Sequence, residues 1–220
     1  LSNFHLLFLI ISIISWIYLL GFDYIYPTNV GWLNSGDLST YQLGWEYFRN
    51  DKWRFPIGLN PNYGIYSDSN IIYSDSIPLL AIIFKLFNFL LPEKFQYFSI
   101  WIFLCIYLQI FFSFKIIFIG TGHKFFSLIG SLFFLTASIF IHRSGIHLSL
   151  LGQWLILCGI FIEISENNKK YFFRLITILL SLVIHFYFFL MLLIIIFSQD
   201  FYKLVIKKKY YLDIIKELNI

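Results

Sequence analysis

The sequence predicts an all-α fold, a polytopic bundle of transmembrane helices with a long first extracytoplasmic loop. Three observations carry that prediction. The 220-residue chain is 59% hydrophobic and 13% charged, with mean hydropathy +0.77, whereas a soluble domain carries about 25% charged residues. Several separate apolar runs approach the roughly 20 residues an α-helix needs to cross the hydrocarbon layer. Those runs do not alternate polar and apolar residues as the strands of a membrane barrel would.

The net charge of +4 does not point to nucleic acid, because the basic residues fall in short clusters between apolar runs, as cytoplasmic loops do. Cys105 and Cys158 lie inside apolar runs, where cysteine acts as a small hydrophobe. The first apolar run has no basic residues before it and no small-residue cleavage site after it, so it reads as a span and not a cleaved signal. A start at Leu1 and an end at Ile220, soon after an apolar segment, read as part of a longer chain.

Taken in order, 4–22 is the first span, with Trp16 and Tyr18 as interfacial aromatics near its outer end. The loop 23–76 follows, with six carboxylates against three basic residues, a balance that places it outside. Within it Leu38, Tyr41, Trp45 and Phe48 recur at helical spacing. They predict a helix lying on the membrane surface with Gln42, Glu46 and Arg49 toward water and Asp37 as N-cap. Residues 53–64 hold Pro56, Gly58, Pro61 and Gly64, the composition of a turn-rich loop. The apolar stretch 77–91 is short, interrupted by Lys85 and Asn88 and closed by Pro92, which suits an interfacial helix. If it does not cross, 97–119 runs inward and leaves Lys115, His123 and Lys124 in the cytoplasm. Spans at 125–141 and 148–164 then lead out and back to Lys169, Lys170 and Arg174. The region 171–206 is too long for one span and basic at both ends, so it folds as a hairpin, 171–185 and 187–206, with its tip near His185. Six spans and one interfacial helix result, N-terminus inside. The Lys207-Lys208-Lys209 run is a cytoplasmic flank that attracts acidic lipid headgroups.

This topology gathers Asp37, Glu46, Arg49, Asp75, His142, Arg143, His147 and His185 on the outer side. Arg143 stands out, because insertion rules explain cytoplasmic cations and not a basic residue beside the outer interface. A lipid-linked phosphate there would explain it, since guanidinium pairs bidentately with phosphate oxygens and imidazoles add hydrogen bonds. Sugar transfer from a polyprenyl phosphate needs a carboxylate to take the acceptor hydroxyl's proton and cations to stabilise the departing phosphate. Asp37 is the candidate for the first task. Arg143 and His142 are candidates for the second, with Lys85 and Arg49 as further cations. Plainer readings stand beside these: Asp37 as a helix cap, Lys85 snorkelling to the interface, Gln153 bonding between helices, His142 and His147 solvated around Gly145, and His185 marking a hairpin tip. Asp75 divides between helix-dipole partner and second site carboxylate or metal ligand. The sequence holds no zinc-type ligand spacing, no Gly-rich phosphate loop and no serine-hydrolase elbow.

The string Gly36-Asp37, Tyr41, Gly44-Trp45, Phe48-Arg49, Trp53, Phe55-Pro56, then Ser74-Asp75-Ser76-Ile77-Pro78-Leu79 and Lys85, resembles a family of bacterial membrane proteins whose N-terminal half is of the GT-C glycosyltransferase type. His147, Leu150, Gln153-Trp154-Leu155 and His185-Phe186-Tyr187 resemble it too, with Phe186 where proline often follows the histidine. The resemblance implies a GT-C type helical bundle at the bacterial inner membrane, its active face outward. Its implied activity is transfer of a sugar from a polyprenyl-phosphate-linked donor to a glycan, lipid or protein acceptor. It matches Asp37 to the catalytic base or metal-site aspartate of the first outer loop, with a divalent cation near Asp37 and Asp75 as an optional cofactor. Relatives continue into further spans and often a soluble outer domain. Two other classes stay open: a carrier or flippase of lipid-linked sugars, with ionisable groups near the membrane midplane, and a non-catalytic membrane scaffold.

Overall fold

The apolar run around residues 98–121 is hydrophobic on every side, and a helix of that kind belongs in the middle of a bundle. The computed structural model, which describes residues 2–64, 68–165 and 167–218 with side chains over 4–206, places it there. Among those residues every regular element is helical: α1 Ser2–Leu20, α2 Phe22–Ile25, α3 Gly36–Asn50, α4 Pro78–Leu86, α5 Phe98–Thr121, α6 Lys124–Leu135, α7 Ser138–Gly145, α8 Trp154–Ile164, α9 Lys170–Ile184 and α10 Phe186–Leu218. α5 packs against α1, α6 and α8 and buries Trp101, Ile102, Cys105, Ile106 and Ile110. It stops where Gly122 takes the left-handed conformation (φ 68°) and returns its N–H to the Phe118 carbonyl, a C-terminal device that glycine adopts without a Cβ clash.

Ring contacts fix the helix directions. Phe4 and Phe8 meet Phe114 while Trp16 meets Phe103, so α1 runs antiparallel to α5. Trp101 donates to the Leu148 carbonyl and Phe112 meets Phe161, so α8 runs parallel to it. Arg174 pairs with Glu163 behind it and Asp200 ahead of it, which makes α8, α9 and α10 successive antiparallel neighbours. One end of the bundle therefore collects Lys115, Lys124, Lys169 and Lys170. The other carries the chain between α2 and α5, the end of α7, and the α9–α10 junction.

Two helices, Phe98–Thr121 and Phe186–Ile206, are long and apolar enough to cross a membrane, and the bent pair α6 and α7 makes a third if it is one span. The expected single span at 125–141 is broken by 48°. Ala137 is extended there, and Thr136 spends its hydroxyl on the Phe133 carbonyl, a side-chain bond that bends helices. The expected span at 148–164 begins as a 3-10 turn, because the Leu148 carbonyl is shared between the Trp101 indole (2.7 Å) and the N–H of Leu151. The Lys207-Lys208-Lys209 side chains lie outside the described residues.

The helix expected to lay its apolar face on the membrane surface packs that face into a protein cap. α3 turns Tyr41, Trp45 and Phe48 into protein, and it also buries Gln42 and Arg49, which the sequence placed toward water. Trp45 donates to the Phe95 carbonyl (2.9 Å) and its ring packs edge-on against Tyr97. Burying such large rings contributes about 2–3 kcal/mol each to holding the cap on α5. Gly44 lets the cap close, since a Cβ there would stand 2.1 Å from Ser74 Oγ. Asn60 donates to the Gly44 carbonyl (2.9 Å) and Ser76 to that of Tyr41 (2.8 Å), so the returning loop is sewn along α3.

Candidate functional site

The start of α3 sets the first carboxylate. Ser35 occupies the N-cap position and Asp37 the second helical residue, so Asp37 is not the cap expected from the sequence. Its side chain is 61% exposed and faces His147, with Oδ2 3.6 Å from Nδ1. His147 follows α7, on a turn anchored through the Trp101–Leu148 bond.

The second carboxylate is set by strain. Asp75 (φ 53°) and Ile77 (φ 49°) are both left-handed, a costly state for a β-branched isoleucine. Around them Ser74 and Ser76 bond to each other (2.8 Å), and the Tyr97 hydroxyl donates to the Ser76 carbonyl. The turn thus holds Asp75 Oδ1 3.5 Å from Nε2 of His185, the residue between α9 and α10. The Tyr187 N–H donates to His185 Nδ1 (3.1 Å). That nitrogen is therefore the bare acceptor, and the neutral ring carries its hydrogen on Nε2, toward Asp75. A cation at this place would also oppose the N-terminus of α10.

The two pairs act on each other electrostatically. Burial holds the Asp75 carboxyl above the usual carboxylate value; His185 and His147 pull it back, and Asp37 pushes it further up. Burial lowers His185, with Asp75 opposing and Arg143 assisting. Tyr41, one turn beyond Asp37, is pushed up to about 12 by burial and then by Asp75 and Asp37, so its phenol stays protonated. Ser149 Oγ is buried beside that phenol, close enough to favour the phenolate slightly but without a well-formed hydrogen bond. Arg143 acts electrostatically on His185, and among the described residues its Nη1 makes a long 3.4 Å bond to the Leu150 carbonyl. The arrangement offers two carboxylates that can accept protons, a phenol and imidazoles that can donate, and one guanidinium for an anion.

Other expected site residues stand elsewhere. Arg49 is twelve residues along α3 from Asp37, about 18 Å at the helical rise. Its donors are spent on Asn88 Oδ1 (2.9 Å) and the Pro92 (2.9 Å) and Glu93 (3.1 Å) carbonyls. Lys85 lies over the Phe48 and Trp53 rings and reaches the Lys52 carbonyl; burial lowers its pKa. Both pin the far end of the cap. Glu46 accepts from Gln42 (2.8 Å) and is raised by burial, with Arg49 opposing. His142 is exposed on α7, and Gln153 Nε2 is buried without a partner among the described residues, just before α8. No group of three or more His, Cys, Asp or Glu side chains among the described residues could hold a metal ion. Asp37 and Asp75 each face an imidazole. Tyr41 and Ser149 were missed by sequence reasoning. The signal for Tyr41 was its four-residue spacing from Asp37 on one helix; Ser149 gave none.

A family model described as a domain of unknown function, DUF6311, matches residues 9–217. The chain belongs to that family. No curated protein matches, and no solved structure matches.

Proposed function

We propose that this DUF6311 chain is part of a GT-C type glycosyltransferase, moving a sugar from a polyprenyl-phosphate-linked donor to a cell-envelope glycan, lipid or protein. The observation that carries the reading is that the pairs Asp37–His147 and Asp75–His185, with Arg143 near the end of α7, fall at the bundle end opposite Lys115, Lys124, Lys169 and Lys170. With the lysine-rich end in the cytoplasm by the positive-inside preference, these pairs lie at the outer face of the bacterial inner membrane. α1, α5, the bent α6–α7 pair, α8, α9 and α10 then serve as six crossings, with α4 at the interface and membrane lipids around them.

In this reading the acceptor hydroxyl gives its proton to Asp37 as its oxygen bonds the sugar's anomeric carbon. The bond from that carbon to the phosphate oxygen breaks with its electron pair going to phosphate, and Arg143 stabilises the charge. His147 orients the Asp37 carboxylate. Tyr41, held protonated, supplies a neutral donor beside both carboxylates. No step requires a metal, and no nucleic acid takes part.

The carrier reading draws on one observation, the ion cluster of Glu163, Lys170, Arg174 and Asp200 among α8, α9 and α10. Every member of that cluster is paired, whereas a transport site keeps ligating capacity for its cargo. Proteoliposomes loaded with a labelled lipid-linked sugar separate the two. New glycosidic bonds are expected, and label crossing the bilayer with no bond formed would overturn the transferase reading.

A further inference from the structure

Beside the second carboxylate lies a cleft of about 260 Å³ between the 3-10 helix Ile71–Ser74 and the α9–α10 junction. Its polar wall is Asp75 and His185, and its other walls include Tyr73, Tyr187, Phe186 and Leu182. The volume is just below the range of small-molecule pockets, about 300–1,000 Å³, which suits a single ring-sized group. Tyr73 and Tyr187 are 82% and 58% exposed. Asp75, carried by the left-handed turn, presents a carboxylate acceptor, and His185, oriented by the Tyr187 N–H, an imidazole beside it.

We infer that this cleft is a saccharide subsite, and that the acceptor of the proposed transfer is a sugar hydroxyl, not a lipid or protein side chain. The inference rests on the transferase reading only for the word acceptor; binding of a sugar ring stands on the cleft alone. A pyranose has apolar C–H faces and a rim of hydroxyls. The tyrosine and phenylalanine rings match the faces, and the Asp75 carboxylate, whose contact with His185 Nε2 is a loose 3.5 Å, accepts from a pair of neighbouring hydroxyls. Anions are disfavoured by Asp75. Asp37 raises the Asp75 carboxyl further, which ties the cleft electrostatically to the proton acceptor of the proposed transfer.

The test is saturation-transfer NMR on the intact protein in micelles without sugar headgroups. The probes are methyl glycosides of glucose, galactose, mannose and N-acetylglucosamine, with tetramethylammonium as a cation probe. Ring-proton transfer from at least one glycoside is expected, falling at least fivefold in Asp75→Asn and in Tyr73→Ala, whose exposed ring can be removed without disturbing the fold. No transfer from any glycoside, an unchanged signal in both variants, or transfer only from tetramethylammonium would overturn the inference. The readout needs no turnover. A protein that binds glycosides yet forms no glycosidic bond keeps this inference and sinks the transferase, while one that glycosylates only non-sugar acceptors does the reverse.

Discussion

Gly44→Ala tests how the cap carries Asp75. The new Cβ would stand 2.1 Å from Ser74 Oγ, 2.4 Å from Ser74 Cβ and 2.6 Å from Ser76 Oγ. Carbon atoms in contact prefer about 3.5–4.0 Å, so the 74–76 turn must lift by roughly 1 Å or more. Rotating Ser74 gives no relief, because its Cβ is itself too close. Overpacking of this kind costs about 1–3 kcal/mol. Lifting the turn off α3 also breaks the Ser76–Tyr41 hydrogen bond, at about 1 kcal/mol. A loss of about 3 kcal/mol is therefore expected, read as denaturant unfolding of the intact protein in micelles. Ser74→Gly in the Gly44→Ala background removes the worst contacts and should restore at least about 1 kcal/mol, a non-additivity expected of touching residues. Because the turn carries Asp75, turnover should fall with stability. A Gly44→Ala protein within about 0.5 kcal/mol of wild type, the range of an uninvolved surface change, would refute the packing of the cap on α3.

Arg49→Lys is expected to destabilise by about 2 kcal/mol, since one ammonium cannot satisfy the three acceptors that the guanidinium fork fills; KM for a lipid-linked donor should not move, and a raised KM in a fully stable variant would put Arg49 back in the site. Arg174→Met leaves Glu163, 2% exposed at its side chain, with Lys170 alone. A loss of about 3 kcal/mol is expected from that broken buried pair, and Glu163→Gln in the same background should recover part of it; unfolding curves superimposable on wild type would contradict the network. His185, held below 6.5 by burial, takes its proton later in the folded than in the unfolded state. Its stabilisation is complete above pH 6.5 and is lost progressively as pH falls below that value through the lower folded pKa, because in that window the unfolded chain binds more protons. His185→Asn keeps an acceptor for the Tyr187 N–H and should lose less stability than wild type between pH 7 and 5; an equal or steeper loss would contradict the buried neutral imidazole. Asp75 works in the opposite sense, its carboxyl held above 3.8 so that acid relieves a burial cost, and for that reason the comparison is made at His185.

The helical class was legible because apolar runs without strand alternation leave few other folds. The break at His185 could be read from basic clusters on both sides of an overlong run. Charge and period could not announce where carbonyls are diverted, so the interruptions at Ala137 and after Leu148 stayed hidden. The same gap explains α3. Its period was plain, but period does not say whether an apolar face meets lipid or protein, and Gln42 and Arg49 were read as water-facing although both are buried. In the site, Asp37, Asp75, His147, His185 and Arg143 could be named from their outer-loop positions. Their pairing could not, because it depends on left-handed Asp75 and on the Tyr187 N–H that fixes the His185 tautomer. Arg49 and Lys85 were misread as candidates because a cation that clamps carbonyls and rings has the same residue type as one that binds phosphate.

The transferase account turns on Asp37. Release of polyprenyl phosphate from a labelled polyprenyl-phosphate sugar, followed in membrane vesicles, measures its part most directly when wild type is set against Asp37→Asn. The account predicts release coupled to a new glycosidic bond in wild type and at least about a hundredfold slower release in the variant, as for loss of a general base, with equal amounts of both proteins in the membrane. Release in the Asp37→Asn protein at the wild-type rate would contradict it.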